Sequence, residues 1–247
     1  MKVSFLIAGT QKGGTTALRA MLSTNPAICM EEIHFFANDR LSLNNIPKAD
    51  VSEYYSKFPV TPQTKIIGEV SPRYMYWPGV PQRVFLHAPE IKWIILLRDP
   101  VKRAYSSWNM CHQMGWDTAT FEEAIELEEE RCQTAAPYPR RVFSYLDRGF
   151  YSHQLKRMFM LFPRSQFYIE KSDRLKIEPQ AVLEEIAEFL GVEPDFNLGN
   201  NTTYHARRYS SPIKQKTEAK LYEYYHWEIK QLESLLGWDC TDWKLKN

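Results

Sequence analysis

The chain has 247 residues, enough for one domain of ordinary size with a buried core and a ligand cleft beside it. Lysine and arginine total 31 against 30 for aspartate and glutamate, so no global field recruits nucleic acid or an anionic membrane, and any anion site must be local. Cys29, Cys111, Cys132 and Cys240 lie far apart without CxxC or Cys/His spacing, which favours reduced thiols in a cytoplasmic setting over a disulfide frame or a metal site.

Val3 to Ala8 is an apolar run of strand length that meets a glycine loop, too short to be the core of a signal peptide with a cleavage site behind it. Thr15 to Ser23 follows as a helix, Ile66 to Glu69 as a strand, Gln82 to His87 as a helix, Trp93 to Leu97 as a strand and Val101 to Cys111 as a helix. Phe167 to Glu170 gives another strand, and Pro179 to Leu190 a patterned helix that Gly191 should stop. Thr217 to Leu236 reads as one long helix with Leu221, Tyr224, Tyr225, Ile229, Leu232 and Leu236 at helical spacing, its aromatics turned to the core. The more polar, aromatic stretches Leu41 to Thr64 and Trp116 to Tyr138 read as helical insertions over the sheet edge.

Strands alternating with helices, and apolarity that is continuous in Phe5 to Ala8 and Trp93 to Leu97, predict a three-layer α/β fold. Its central sheet should be mainly parallel and flanked by helices on both faces. A single domain over residues 1–247 is expected, with no internal repeat. The longest apolar runs, Trp93 to Leu97 and Met158 to Phe162, fall far short of a membrane span, so a soluble protein is expected.

Gly9-Thr10-Gln11-Lys12-Gly13-Gly14-Thr15-Thr16 follows a predicted strand and opens a predicted helix, the setting in which backbone N–H groups and a helix N-terminus cradle a phosphate. The spacing is P-loop-like, but Thr15 occupies the lysine position of a Walker A loop and Lys12 lies three residues earlier. A nucleoside triphosphatase would lack its β/γ-phosphate lysine.

Gln-Lys-Gly-Gly-Thr-Thr-Ala-Leu, from Gln11 to Leu18, resembles the 5'-phosphosulfate loop of sulfotransferases that use 3'-phosphoadenosine 5'-phosphosulfate (PAPS), in particular the heparan sulfate N- and 3-O-sulfotransferase branch. Glu31-Glu32-Ile33-His34-Phe35-Phe36 resembles the strip bearing that branch's catalytic glutamate, and Gly68-Glu69-Val70-Ser71-Pro72-Arg73-Tyr74 its next motif. Leu97-Arg98-Asp99-Pro100-Val101-Lys102-Arg103-Ala104-Tyr105-Ser106 resembles the 3'-phosphate motif. Arg148-Gly149-Phe150-Tyr151, Ala206-Arg207-Arg208-Tyr209 and the Tyr224-Tyr225 helix ending at Leu235-Leu236-Gly237-Trp238 follow in order, so the resemblance covers nearly the whole chain. Val70 stands where heparan-type enzymes often carry a lysine, His205 replaces a lysine, and the cysteine-closed hairpin is missing. These departures weaken long heparan chains as the acceptor.

The resemblance implies sulfuryl transfer from PAPS, with 3'-phosphoadenosine 5'-phosphate (PAP) as product and no metal. Transfer of this kind asks a protein to align nucleophile and leaving group and to stabilise charge on the leaving oxygen. Lys12 is expected to stabilise the leaving phosphate, and Gly13, Gly14, Thr15, Thr16 and Ala17 to hold the 5'-phosphosulfate. Arg98, ending a buried strand, suits the 3'-phosphate, with Ser106, Arg207 and Arg208 adding donors and Tyr209 or Tyr204 against the adenine. Glu32 is the expected general base, with His34 sharing its side if the segment is extended. Arg103 is expected in a structural ion pair. His34, Phe36, Glu69 and Tyr74 are expected at the acceptor, which is a small molecule or a saccharide. Two other readings stay open: a P-loop nucleotide kinase with Asp99 as its magnesium ligand, and a noncatalytic glycan-binding module.

Overall fold

A computed structural model of the chain describes residues 1–37, 51–134, 142–199, 209 and 211–244. They fall into two compact units, one of Met1–Leu97 with 155–199, the other of Arg98–Gln154 with 209–244.

The first unit is built on a five-stranded sheet of β1 (Val3–Gly9), β2 (Ile28–Glu31), β3 (Ile66–Val70), β4 (Lys92–Leu97) and β5 (Phe167–Lys171), in the order β2-β3-β1-β4-β5. Every pairing is parallel, in agreement with the sequence, so the carboxyl ends of all five strands lie on one edge. Strand order reverses beside β1, where β3 lies on one side and β4 on the other. Open α/β sheets bind ligands at such a point, beyond the carboxyl ends. β2 did not stand out in the sequence.

Alternate residues of each strand face opposite layers. Phe5, Ile7, Ile28, Met30, Val70, Ile94 and Leu96 pack against α1 (Thr15–Leu22), α8 (Ser172–Ile177) and α9 (Pro179–Leu190). On α9 the buried positions Val182, Leu183, Ile186, Ala187 and Leu190 make one stripe, and Gly191, at φ 79°, ends it. The Gly191 and Val192 amides both donate back to the Ala187 carbonyl, which satisfies helix-end acceptors as the left-handed cap requires. On the other face Trp93 meets the rings of Phe162 and Phe167, and Phe85 of α3 (Val80–His87) meets Phe162. Short α2 (Ser52–Ser56) belongs to this unit and buries Tyr54.

The second unit is helical: α4 (Pro100–Gln113), α5 (Phe121–Glu126), α6 (Glu128–Thr134), the first turn of α7 (Tyr151–Phe159), α10 (Gln215–Tyr224) and α11 (His226–Leu236). The stretch read as one helix from Thr217 to Leu236 is two. Tyr225 sits between them at φ −89°, ψ 2°, its ring fully buried and its hydroxyl donating to the Leu146 carbonyl at 2.6 Å. That anchor takes one residue out of helical geometry while the Tyr225 amide still bonds Leu221 and its carbonyl Ile229. The aromatics of this stretch are divided, with Tyr225 in the core and Tyr224 half exposed. Within the described part of the two expected insertions, α2, α5 and α6 are indeed helical. Among the described residues no helix is long and apolar enough to cross a membrane.

Candidate functional site

The loop between β1 and α1 runs against the end of β4. The Thr10 amide donates to the Leu96 carbonyl at 2.8 Å and the Gly13 amide to the Thr10 carbonyl at 2.8 Å, curling the backbone into a tight turn. Gly13 has no room for a side chain: a Cβ there would stand 2.6 Å from the Leu96 oxygen. Gly14, the N-cap of α1, has φ 96°, a left-handed conformation that glycine adopts without steric cost. α1 has no side-chain cap and no acidic residue in its first turn, so its N-terminal amides and dipole meet no competing negative charge from the helix itself. A narrow glycine turn on an uncapped helix N-terminus fits a phosphate-bearing group. Thr15 is buried and Thr16 exposed, so the Thr16 hydroxyl is the more accessible of the two.

Beyond the end of β2, Glu32 and His34 come together as the sequence suggested, but by a different route. The segment is not extended. His34 takes a left-handed backbone at φ 61°, starts a single 3-10 turn over Phe35–Ala37, and stands with Nε2 3.4 Å from Glu32 Oε1. Arg19 of α1 donates to Glu31 at 3.0 Å and lies 3.8 Å from Glu32, which ties Glu32 to the helix that the glycine loop opens. From Thr15 to Arg19 is about one helical turn, or roughly 6 Å of rise. Among the described residues, the two non-glycine residues with positive φ are Lys12 and His34. A side chain in that region costs about 1–2 kcal/mol, and such strain persists where surrounding structure over-determines it, often at functional sites.

The group that holds the His34 turn is Glu69. It is completely buried and accepts from the Phe35 amide at 2.9 Å, from Tyr54 Oη at 2.6 Å and from Tyr74 Oη at 2.5 Å. Tyr74 Oη in turn accepts from the Phe36 amide at 2.9 Å, so its own proton is directed to Glu69. Burial pushes the Glu69 carboxyl up and the donated hydrogen bonds pull it back; the donor set suits the carboxylate. Burial first, then the Glu69 charge, holds both phenols well above their ordinary range, so they stay protonated donors. Glu69, Tyr74 and Phe36, expected to touch an acceptor, are each fully buried and bonded into this web instead. Glu32, at 42% side-chain exposure, is open to solvent, somewhat more than Glu31 at 34%, and His34 is partly open at 24%.

In the second unit Arg98 follows β4 directly in the chain. Its carbonyl accepts from Tyr151 Oη at 2.8 Å, and its guanidinium reaches Tyr209 Oη at 3.5 Å. Tyr209 stacks on Tyr105 at 5.5 Å between ring centroids, and Ser106 lies buried on α4. Asp99 caps α4: Oδ1 accepts from the Val101 and Lys102 amides, and Oδ2 from Tyr222 Oη at 2.7 Å. Oδ1 is thus taken up by the helix cap and Oδ2 by Tyr222 and, at 3.3 Å, Lys102 Nζ, an arrangement that suits a structural cap rather than the magnesium ligand a kinase would need. Arg103, expected in an ion pair, is fully buried and donates to the Tyr145 carbonyl, with no hydrogen-bond partner for Nε or Nη1 among the described residues. Arg207, Arg208 and Tyr204 lie outside the described residues.

Sequence reasoning passed over Ser71, Tyr54 and Arg19. Ser71 was visible as the residue after a strand end and before a proline, whereas Tyr54 and Arg19 gave no local signal.

The fold and the strand-edge loop define an α/β protein of the P-loop-like class. Residues 2–231 match the sulfotransferase domain family, and the chain belongs to that family. Over 206 residues it is 32% identical to mouse heparan sulfate glucosamine 3-O-sulfotransferase 5, covering 80% of this chain and 57% of the mouse protein. Mouse bifunctional heparan sulfate N-deacetylase/N-sulfotransferase 3 is 30% identical over 216 residues, covering 83% of this chain and 24% of its own length. The chain thus spans about half the length of the first relative and a quarter of the second. A sulfotransferase from Alicyclobacillus acidocaldarius superposes with a TM-score of 0.83 at 28% identity, covering 98% of this chain and 99% of that one.

Proposed function

We propose that the protein is a PAPS-dependent sulfotransferase that modifies a hydroxyl or amine of a saccharide, within one catalytic domain over the whole chain. The observation that carries the reading is the left-handed backbone at Lys12 and at His34, the two strained non-glycine positions among the described residues, each beside a group the chemistry needs.

Lys12, the amides of Gly13 to Ala17 and the Thr15 and Thr16 hydroxyls would bind the 5'-phosphosulfate, their positive charge and dipoles offsetting charge on the leaving oxygen. Arg98, Ser106, Arg207 and Arg208 would bind the 3'-phosphate, and Tyr209 the adenine side. PAPS supplies, when bound, an activated sulfuryl group whose leaving group is a stable phosphate. Glu32 takes the proton of the attacking hydroxyl or amine; its open carboxylate and its tie to α1 through Arg19 support that role. His34 faces Glu32 and orients acceptor and base, while Glu69, Tyr74 and Phe36 form the buried support beneath His34. A saccharide acceptor is favoured by the relatives, which are heparan sulfate sulfotransferases by name. A cytoplasmic location is proposed on the free cysteines, three of them buried.

The test is calorimetric titration with PAP and with ATP, followed by a screen of glucosaminyl oligosaccharides and phenolic small molecules with labelled PAPS. Tight PAP binding without ATP binding, and label on a saccharide, are expected. Magnesium-dependent consumption of ATP would overturn the assignment, label confined to small molecules would overturn the saccharide, and full turnover by Glu32→Gln would remove Glu32 as base.

A further inference from the structure

Ser71 is the first residue beyond β3, at the same edge of the sheet as the glycine loop and Glu32. Its backbone is fixed on both sides. The Ser71 amide donates to the Ile7 carbonyl of β1 at 2.9 Å, and its carbonyl accepts from the Tyr74 amide at 3.1 Å. The side chain is fully buried, and Oγ lies 2.7 Å from His34 Nδ1. On the far side of the same ring, Nε2 lies 3.4 Å from Glu32 Oε1. Serine, imidazole and carboxylate therefore stand in line: one end sealed in the sheet edge, the other open to solvent.

A neutral imidazole carries one N–H, and which nitrogen holds it follows from what each nitrogen faces. The Glu32 carboxylate only accepts, so it favours the proton on Nε2. Nδ1 is then a lone pair, and a hydroxyl 2.7 Å away satisfies it by donating. We propose that Ser71 is a positioning residue, whose hydroxyl donates to His34 Nδ1, holds the ring in its Nε2–H form and aims that N–H at Glu32. This rests on Glu32 as the base. A hydroxyl also accepts, so Ser71 continues to serve the ring when it is an imidazolium, by turning its proton away from Nδ1–H. No covalent step is assigned to it. The left-handed His34 backbone complements this role: the Glu69 web sets where the ring's backbone sits, and Ser71 sets which nitrogen carries the proton.

The test is ¹⁵N NMR of histidine side chains in the full chain, with His34 assigned by its loss in His34→Gln. The wild type is expected to show His34 as the Nε2–H tautomer, Ser71→Ala to show a mixture in which Nδ1–H has risen, and Ser71→Thr to restore the wild-type pattern. PAP affinity by calorimetry should stay within about twofold in all three, since the glycine loop is intact. A wild-type His34 protonated on Nδ1 would overturn the proposal without any variant, and so would an unchanged tautomer in Ser71→Ala. Full turnover in Glu32→Gln strikes instead at the base assignment and leaves the tautomer measurement readable, so the two failures are distinguishable.

Discussion

Gly13 lies so close to the Leu96 carbonyl that the loop and the end of β4 are fixed by main chain alone; even one methyl group would stand 2.6 Å from that oxygen and 2.9 Å from the Thr10 carbonyl. Neither atom is the end of a flexible side chain, so neither can give way cheaply. Gly13→Ala is therefore expected to destabilise the fold by about 1–3 kcal/mol, the usual cost of overpacking. It should also weaken PAP binding by at least about tenfold, because the amides proposed to cradle the phosphate move with the turn. Chemical denaturation and calorimetric titration measure the two effects. A stable Gly13→Ala that binds PAP like the wild type would show that this turn is not the cradle.

Arg98 offers a sharper test of the donor. If its guanidinium meets the 3'-phosphate, the wild type should prefer PAP over adenosine 5'-phosphate, which lacks that group. A charge-assisted hydrogen bond of about 1.5–3 kcal/mol corresponds to roughly 10- to 100-fold in affinity. Arg98→Ala should lose that preference while binding adenosine 5'-phosphate about as well as before. Titrating both proteins with both nucleotides gives the full cycle, and a preference that survives in Arg98→Ala would release Arg98 from the role.

Most of the fold was legible because its signals are local. Continuous apolarity marked β1 and β4, and the stripe ending at Gly191 marked α9 residue for residue. β2 was missed because Ile28–Glu31 is four residues long and is defined by pairing with Ile66–Glu69, far along the chain. The helix break at Tyr225 follows from a hydroxyl reaching Leu146, again a distant partner. The candidate residues divide in the same way. The glycine turn, Glu32 and Arg98 could be named from motifs, but the hydrogen bonding of Glu69 depends on Tyr54, from a stretch that read as an insertion, and on Tyr74. His34 reached Glu32 through a left-handed residue, whereas the sequence placed the two together only on the condition of an extended segment.

Asp99 joins two tasks, capping α4 and receiving Tyr222, directly beside Arg98 in sequence. Asp99→Ala removes the cap and is expected to cost about 1–2 kcal/mol for that alone, with more for the stranded Tyr222 hydroxyl. Asp99→Asn keeps an oxygen for the helix amides and should recover most of the loss. Tyr222→Phe removes one bond and should cost about 1 kcal/mol. Urea unfolding of the three variants orders them, and an Asp99→Ala no weaker than Asp99→Asn would show that the cap contributes nothing.

Glu128 gives the second unit a pH dependence with a definite sign. At the start of α6 it is buried and accepts from the Leu146 amide at 2.6 Å and the Asp147 amide at 2.8 Å. Burial pushes its carboxyl up to about 7 from an ordinary value of 4.5, against the pull of those two amides and of the Arg103 charge, with Asp147 pushing the same way as burial. The folded chain thus holds this proton more tightly than the unfolded chain does. Its contribution is fully present below about 4.5 and is lost as pH rises through about 7. The gap between those values sets an upper bound of roughly 3 kcal/mol, or about 6–12 °C in Tm for a chain of this size. Glu128→Gln cannot titrate; it loses one acceptor at every pH, a constant offset, but escapes the decline. Thermal unfolding of both proteins at several pH values between 5 and 8 should therefore show the variant gaining on the wild type as pH rises. Parallel curves would mean that Glu128 stays charged throughout, held by its two amides and Arg103.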